Sequence, residues 1–253
     1  MADLKPHLSR YWLNAKPADP TVFQEQVAQV CEVYKQAPAQ AAAEGTHTVS
    51  VDEMTGIQAL ERIAKTLRME MGKPERREFE YKRHGTLCLI GNFDVATGMV
   101  IEPTIQATRT EADFAAHLER LVAADPAVPW IFVLDNLTTH CSESLVCWVA
   151  KVCGITDELG VKGKWGILKT VETRKAFLTA ARHRIRFVYV PKHTSWLNQI
   201  EIWFSILVRR VIKRGNFRSL TDLREKIIAF IDYFNKTLAK PFKWTYTGRP
   251  LNV

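Results

Sequence analysis

The run Trp130-Ile-Phe-Val-Leu134 is apolar throughout, is preceded by Pro129 and stops on Asp135. A strand-length segment with no polar face fits the covered middle of an α/β sheet rather than an edge. Two further acids stand where an apolar run ends or a helix begins. Asp52 closes Thr46-His-Thr-Val-Ser-Val51, and Glu201 lies inside Trp196-Leu-Asn-Gln-Ile-Glu-Ile-Trp203. A carboxylate at the C-terminal end of a buried strand points into the crevice where open α/β sheets bind ligands.

The rest of the chain can be ordered around that strand. Prolines punctuate the start, and Val22, Phe23, Val27, Val30, Cys31, Val33 and Tyr34 then recur at helical spacing up to an Ala-rich stretch and Gly45. Strands follow at residues 46–51, 86–93 and 98–105, and the Asp94-Val-Ala-Thr-Gly98 connection makes the last two a hairpin. Residues 68–83 between the first two are charged and aperiodic, an exposed excursion. Thr110-Glu-Ala-Asp113 has capping-box form and opens a helix that Pro126 and Pro129 stop. The crossover through that helix sets the 130–134 strand parallel to the first.

A helix at about 142–152, a Gly-broken insertion at about 154–181 with a helical piece near 170–180, a strand at 184–190, a helix at 197–213 and a last helix capped by Ser219 complete the order. Strand, strand, strand, helix, strand, helix, strand, helix, helix describes an α/β mixed sheet flanked by helices, with an insertion before the last core strand, and it is the ribonuclease H-like order. The expected division is a linker and helix at 1–45, a catalytic domain at 46–240 and a tail at 241–253.

With 253 residues and nearly half of them hydrophobic, the chain can bury a full core. No apolar stretch approaches the roughly 20 residues that span a bilayer, and the first turns of chain carry charges and prolines where a signal peptide needs an apolar block. A cytoplasmic, nucleoid-associated protein of bacterial type is expected. The five cysteines, Cys31, Cys88, Cys141, Cys147 and Cys153, lack the paired spacing of a zinc site and read as reduced core fillers. Charge is concentrated: residues 182–218 hold nine Lys or Arg, among them Arg182, Arg184, Lys192, Arg209, Arg210, Lys213 and Arg214, against one acid, Glu201. A negative cluster inside a positive field suits a bound polyanion, and these seven cations are the candidate DNA contacts.

Singly, an acid at a strand end is also a turn former or helix cap. Jointly, the parallel pairing brings Asp52 and Asp135 together, and the helix bearing Glu201 starts over the same sheet edge. Three such carboxylates form a hard, oxygen-rich site for two Mg2+ or Mn2+ ions about 3.5 to 4 Å apart, the chemistry of cutting and joining phosphodiesters.

Val51-Asp-Glu-Met-Thr55 with Ile57-Gln-Ala-Leu60, Leu134-Asp-Asn-Leu-Thr-Thr-His140 and His193-Thr-Ser-Trp-Leu-Asn-Gln-Ile-Glu201 closely resemble the three catalytic blocks of DDE transposases of the bacterial insertion-sequence six-thirty family, relatives of the mariner elements. Leu4-Lys-Pro-His-Leu-Ser-Arg-Tyr-Trp12 resembles the linker ahead of the family's catalytic domain, so the likeness covers nearly the whole chain. The resemblance implies Asp52, Asp135 and Glu201 as the catalytic, metal-binding triad, with Asn136, His140, His193 and Asn198 in support. It implies cleavage of double-stranded DNA at transposon ends, joining of the 3′ hydroxyls to a TA target, and a homodimer. A helix-turn-helix module for end recognition, usual in the family, is expected to be missing or encoded separately.

Asp135 and Glu201 are 66 residues apart, wider than the family's usual spacing. Looping out of the insertion would restore the site. An inactive DNA-binding remnant and a stand-alone hydrolytic nuclease are the alternatives. Arg76, Arg77, Lys82 and Arg83 fall where mariner-like enzymes have a dimer-clamping loop, although Glu75, Glu78 and Glu80 offset their charge. Trp165 suits either a stacked base or an anchor of the insertion to the core, and Trp203 suits packing.

Overall fold

The computed structural model describes residues 19–246 apart from Thr66 and Arg77. The linker-like segment 4–12 and the candidate contact Arg77 lie outside the described residues. Five strands form one sheet in the order β3-β2-β1-β4-β5: β1 (His47–Arg62), β2 (Tyr81–Asp94), β3 (Thr104–Gln106), β4 (Trp130–Leu134) and β5 (Ile185–Tyr189). The first three run antiparallel to one another in turn, and β4 and β5 lie parallel to β1. This is the mixed sheet that the element order predicts.

The apolar character of β4 follows from its place. Phe132 and Leu134 pack under α2 (Glu111–Ala123), α3 (Glu143–Val152) and α4 (Val171–Leu178) through Phe114, Leu118, Leu145 and Phe177. Ile131 and Val133 face the other way, against Val27, Val30 and Tyr34 of α1 (Pro20–Glu44). The remaining part of that second face, over β1 to β3, is covered by α5 (Gln199–Leu207) and α6 (Leu220–Thr237). Trp203 is fully buried there, as expected. Gly91 permits the close approach of α5, since a Cβ at that position would stand 2.9 Å from the Phe204 ring and 3.1 Å from Ile200.

Caps fix the helix ends largely where the sequence places them. Asp19 accepts from the backbone of Thr21 and Val22, and Gly45 closes α1 in the left-handed conformation. Thr110 and Asp113 form the expected capping box, each side chain satisfying the other residue's backbone N–H. Ser142 and Ser219 cap α3 and α6.

Four expectations need correction. First, β1 does not end at Val51. It continues through Asp52 to Arg62, pairing with β2 as far as Tyr81, so the two strands leave the sheet as an arm and the exposed excursion is only its tip. Parallel pairing with β4 stops at Ser50↔Val133, which puts Asp52 beside the end of β4 although it is not at the end of its own strand. Second, the 98–105 strand shortens to Thr104–Gln106, because the Asn92 side chain takes the carbonyls of Ile101 and Glu102, both at 3.0 Å.

Third, the insertion does not loop out. Leu168, Phe177 and Leu178 join the core, and the glycines make tight turns: a Cβ on Gly160 would meet the Trp165 carbonyl oxygen at 2.1 Å. Trp165 itself is 47% exposed, and its backbone pairs with Val161 inside the insertion. Fourth, Cys147 faces solvent, while Cys31, Cys88 and Cys141 are buried fillers; all five thiols are free.

A buried polar chain ties β2 to α2. His117 contacts the Asn92 side-chain oxygen at 2.9 Å and the Thr104 hydroxyl at 2.6 Å. Burial, then the nearby Arg120, push its pKa down to about 3, so it is folded in as the neutral ring. The unfolded chain binds a proton here below about 6.5 and the folded chain does not, so this contribution to stability is lost as pH falls through that range. Between pH 7 and pH 5 His117 should account for about 2 kcal/mol of lost stability, and His117→Gln should lose that much less in urea unfolding at the two pH values.

Candidate carboxylate site

The site lies at the C-terminal ends of the parallel strands. Asp135 follows β4 directly, Asp52 lies on β1 beside it, and Glu201 is in the first turn of α5. The decisive local structure is the start of α5. Asn198 stands at its N-cap but caps nothing. Its fully buried amide instead donates to the Val51 carbonyl at 3.0 Å and to Asp52 Oδ2 at 3.1 Å, and its oxygen accepts from the Ser50 hydroxyl. Ser50 Oγ in turn accepts from the Ile200 N–H at 2.9 Å. On the other side Tyr34 of α1 donates to the Leu197 carbonyl at 2.9 Å. The helix carrying Glu201 is therefore fastened to the strand carrying Asp52.

The three carboxylates feel one another. Burial first, then repulsion by Asp135 and Glu201, raises Asp52 to about 7. Burial, then Asp135, also raises Glu201. Asp135 goes the other way: against its own desolvation, the bond to His140 holds it below the usual carboxylate range.

His140 is the centre of a second arrangement. Its ring is fully buried, with Nδ1 2.7 Å from Asp135 and Nε2 3.3 Å from Glu53. Desolvation opposes its charge, but these two acids win and raise it to about 9, so it is an imidazolium. Arg109 closes the chain at 2.9 Å from Glu53. The sequence singled out His140 but missed Glu53 and Arg109. Glu53 directly follows Asp52 and so points to the opposite face of β1, and that alternation was the available signal.

The other expected residues divide. The Asn136 side chain donates to the Val190 carbonyl and accepts from Lys175 of α4, a residue the sequence did not single out. Lys192 and His193 are exposed just past β5, and His193 has a left-handed φ of 64°. Arg184 does not reach this end of the sheet. It precedes β5 at the opposite end, where its guanidinium donates to the carbonyls of Val128 and Val152, and Arg182 is two residues before it. The helix expected at 197–213 ends as α-helix at Leu207 and continues as the π-helical turn Val208–Ile212, so Arg209 and Arg210 on that turn, and Lys213 and Arg214 after it, are exposed beyond α5. Lys213 and Arg214 flank clefts at the base of the arm.

The donor set suits a hard divalent cation: three carboxylates, mutually repelling, at a strand-end crevice. Among the described residues no three His, Cys, Asp or Glu side chains close on one point, and Asp135 is engaged by His140. Like charges keep apart until a cation offsets them.

A family model described as DDE superfamily endonuclease matches residues 47–224. Among solved structures, the catalytic domain of Mos1 mariner transposase is similar at 10% identity and a TM-score of 0.50, over 87% of this chain and 85% of that one. The same domain with raltegravir and manganese is similar at 11% identity and a TM-score of 0.46, over 86% and 85%. The Mos1 strand transfer complex gives 11% and 0.48 over 90% of this chain, which spans 60% of the length of that one. At such identities the likeness is one of fold, ribonuclease H-like. No curated protein sequence matches.

Removing the Asn198 amide leaves the Val51 carbonyl and Asp52 without their buried donor. Asn198→Ala should lower the unfolding free energy by about 2 to 3 kcal/mol, read from urea melts at neutral pH.

Proposed function

The chain belongs to the DDE superfamily of endonucleases, and from that premise we propose that it is the catalytic domain of a transposase, one that cuts DNA at transposon ends and joins them to a TA target. The observation that carries this reading is the placement of Asp52, Asp135 and Glu201 at one edge of the sheet, on β1, after β4 and at the start of α5, with Asn198 fastening Asp52 to that helix start. The words around these acids support placing it in the insertion-sequence six-thirty branch. In this reading the three carboxylates hold two Mg2+ or Mn2+ ions. Bound there, the ions would activate the attacking oxygen and stabilise the leaving oxygen of an in-line displacement.

The side chains divide the remaining work. Asn198 orients Asp52 through its amide, and the Ser50 bond to the Ile200 N–H fixes the helix turn that presents Glu201. The His140 imidazolium, braced by Glu53 and Arg109, orients Asp135 and restrains its charge until a cation competes for it. Lys192 and the basic surface of residues 209–214 would draw in the DNA backbone. The arm exposes Met69, Met71 and Phe79, apolar surface that suits pairing with a second copy.

Asp135→Asn should reduce Mg2+-dependent nicking of plasmid DNA by at least about a thousandfold, the scale of losing an essential charge stabiliser, while retention of labelled duplex stays near wild type. Undiminished nicking would remove Asp135 from the site. Supplying a pre-cleaved 3′ end with target plasmid should yield joined product, and hydrolysis without joining would reduce the protein to a nuclease.

A further inference from the structure

The insertion carries two cations that the carboxylate site does not account for. Arg174 of α4 is buried and donates to the carbonyls of Cys141 at 2.7 Å and Leu168 at 2.9 Å, which locks α4 onto the short 3-10 turn Thr138–Cys141 that holds His140. Its neighbour Lys175 is thereby aimed at the C-terminal edge of the sheet. There its ammonium donates to Asn136, the residue after Asp135, and lies 4.7 Å above the Tyr189 ring.

Lys175 has no carboxylate partner among the described residues. Its surroundings are a neutral amide, an aromatic face, the buried Cys141 thiol and a second cation, since Lys192 stands exposed just beyond β5. Burial, helped by the repulsion from Lys192 and opposed by the nearby Cys141 sulfur, pulls the ammonium below its ordinary value. A half-buried cation so placed is relieved of both costs by an anion lying between the two lysines. An acid from the chain could have been placed there, as Glu53 was for Arg109, and none was.

We propose that Lys175 and Lys192 form a phosphate-binding point beside the carboxylates, which takes a backbone phosphodiester of the DNA strand entering the site. The insertion is then part of the DNA-contacting machinery, reaching the strand from the β5 edge. This rests on the reading of the chain as a DNA-processing enzyme. The fixed geometry of α4 gives the point a defined distance from Asp135, so it would set the register of the strand as well as add affinity.

The test is the salt dependence of binding to a short fluorescein-labelled DNA duplex, followed by anisotropy in Ca2+ over a series of NaCl concentrations. Losing one neutralised phosphate should reduce the slope of log affinity against log salt by about 0.9. Lys175→Met should reduce the slope, Lys175→Arg should keep the wild-type slope, and Lys175→Met with Lys192→Met should bring the reduction to about 0.9 in all and no further, because both lysines serve one phosphate. An unchanged slope for Lys175→Met overturns the proposal even if its Tm or overall affinity falls, because a lysine that only braces Asn136 alters stability and not the count of released ions. Wild-type protein that shows no salt-dependent binding overturns the functional reading itself, and this site with it.

Discussion

The site depends on one fastening, that of the start of α5 to the middle of β1. Asn198 and Ser50 satisfy one another, the Val51 carbonyl, the Ile200 N–H and one oxygen of Asp52 inside a region closed to water. Buried polar groups cannot exchange these partners for solvent, so the helix cannot shift along the strand without leaving several of them orphaned. Gly91 lets the same helix sit close to the sheet, and Tyr34 holds it from the α1 side. Glu201, one turn on, inherits its place from these bonds rather than from any contact of its own carboxylate.

Opposed to this fastening is the repulsion it creates. Burial first, and then the neighbouring carboxylates at the same sheet edge, raises both Asp52 and Glu201. The fold relieves only one of the three acids. The imidazolium of His140 neutralises Asp135, Glu53 helps to keep that imidazolium charged from the far side of β1, and Arg109 pairs with Glu53. Asp52 and Glu201 have no such cationic partner among the described residues, and in the function proposed here a divalent cation would offset them.

The positive charge of the chain has no single purpose. Arg184 and Arg174 are consumed in tying backbone carbonyls together, at opposite ends of the sheet. Arg209 and Arg210 on the π-helical turn Val208–Ile212, and Lys213 and Arg214 just after it, are exposed beyond the end of α5, away from the carboxylates. Lys192 and Lys175 are the cations at the strand ends themselves. A stretch that reads in sequence as one basic block is thus divided in space among scaffold, outer surface and site edge.

Local rules determined much of this protein. The unbroken apolar run of β4, the capping box at Thr110, the Asp94–Gly98 turn and the helical spacings fixed the element order and hence the mixed sheet, since strand period, helix period and turn chemistry act over a few residues. That Asp52 and Asp135 would be neighbours was legible because the parallel pairing of β1 with β4 stops just short of both. Tertiary structure alone decided that β1 runs on past Asp52 into an arm, because a strand ends where its partners end, and β2 accompanies it to Arg62. It alone placed Glu53 and Arg109 around His140, and folded the insertion inward so that Lys175 reaches Asn136. Those pairings join residues far apart in the chain, and no periodicity records which distant donor a buried acceptor will meet.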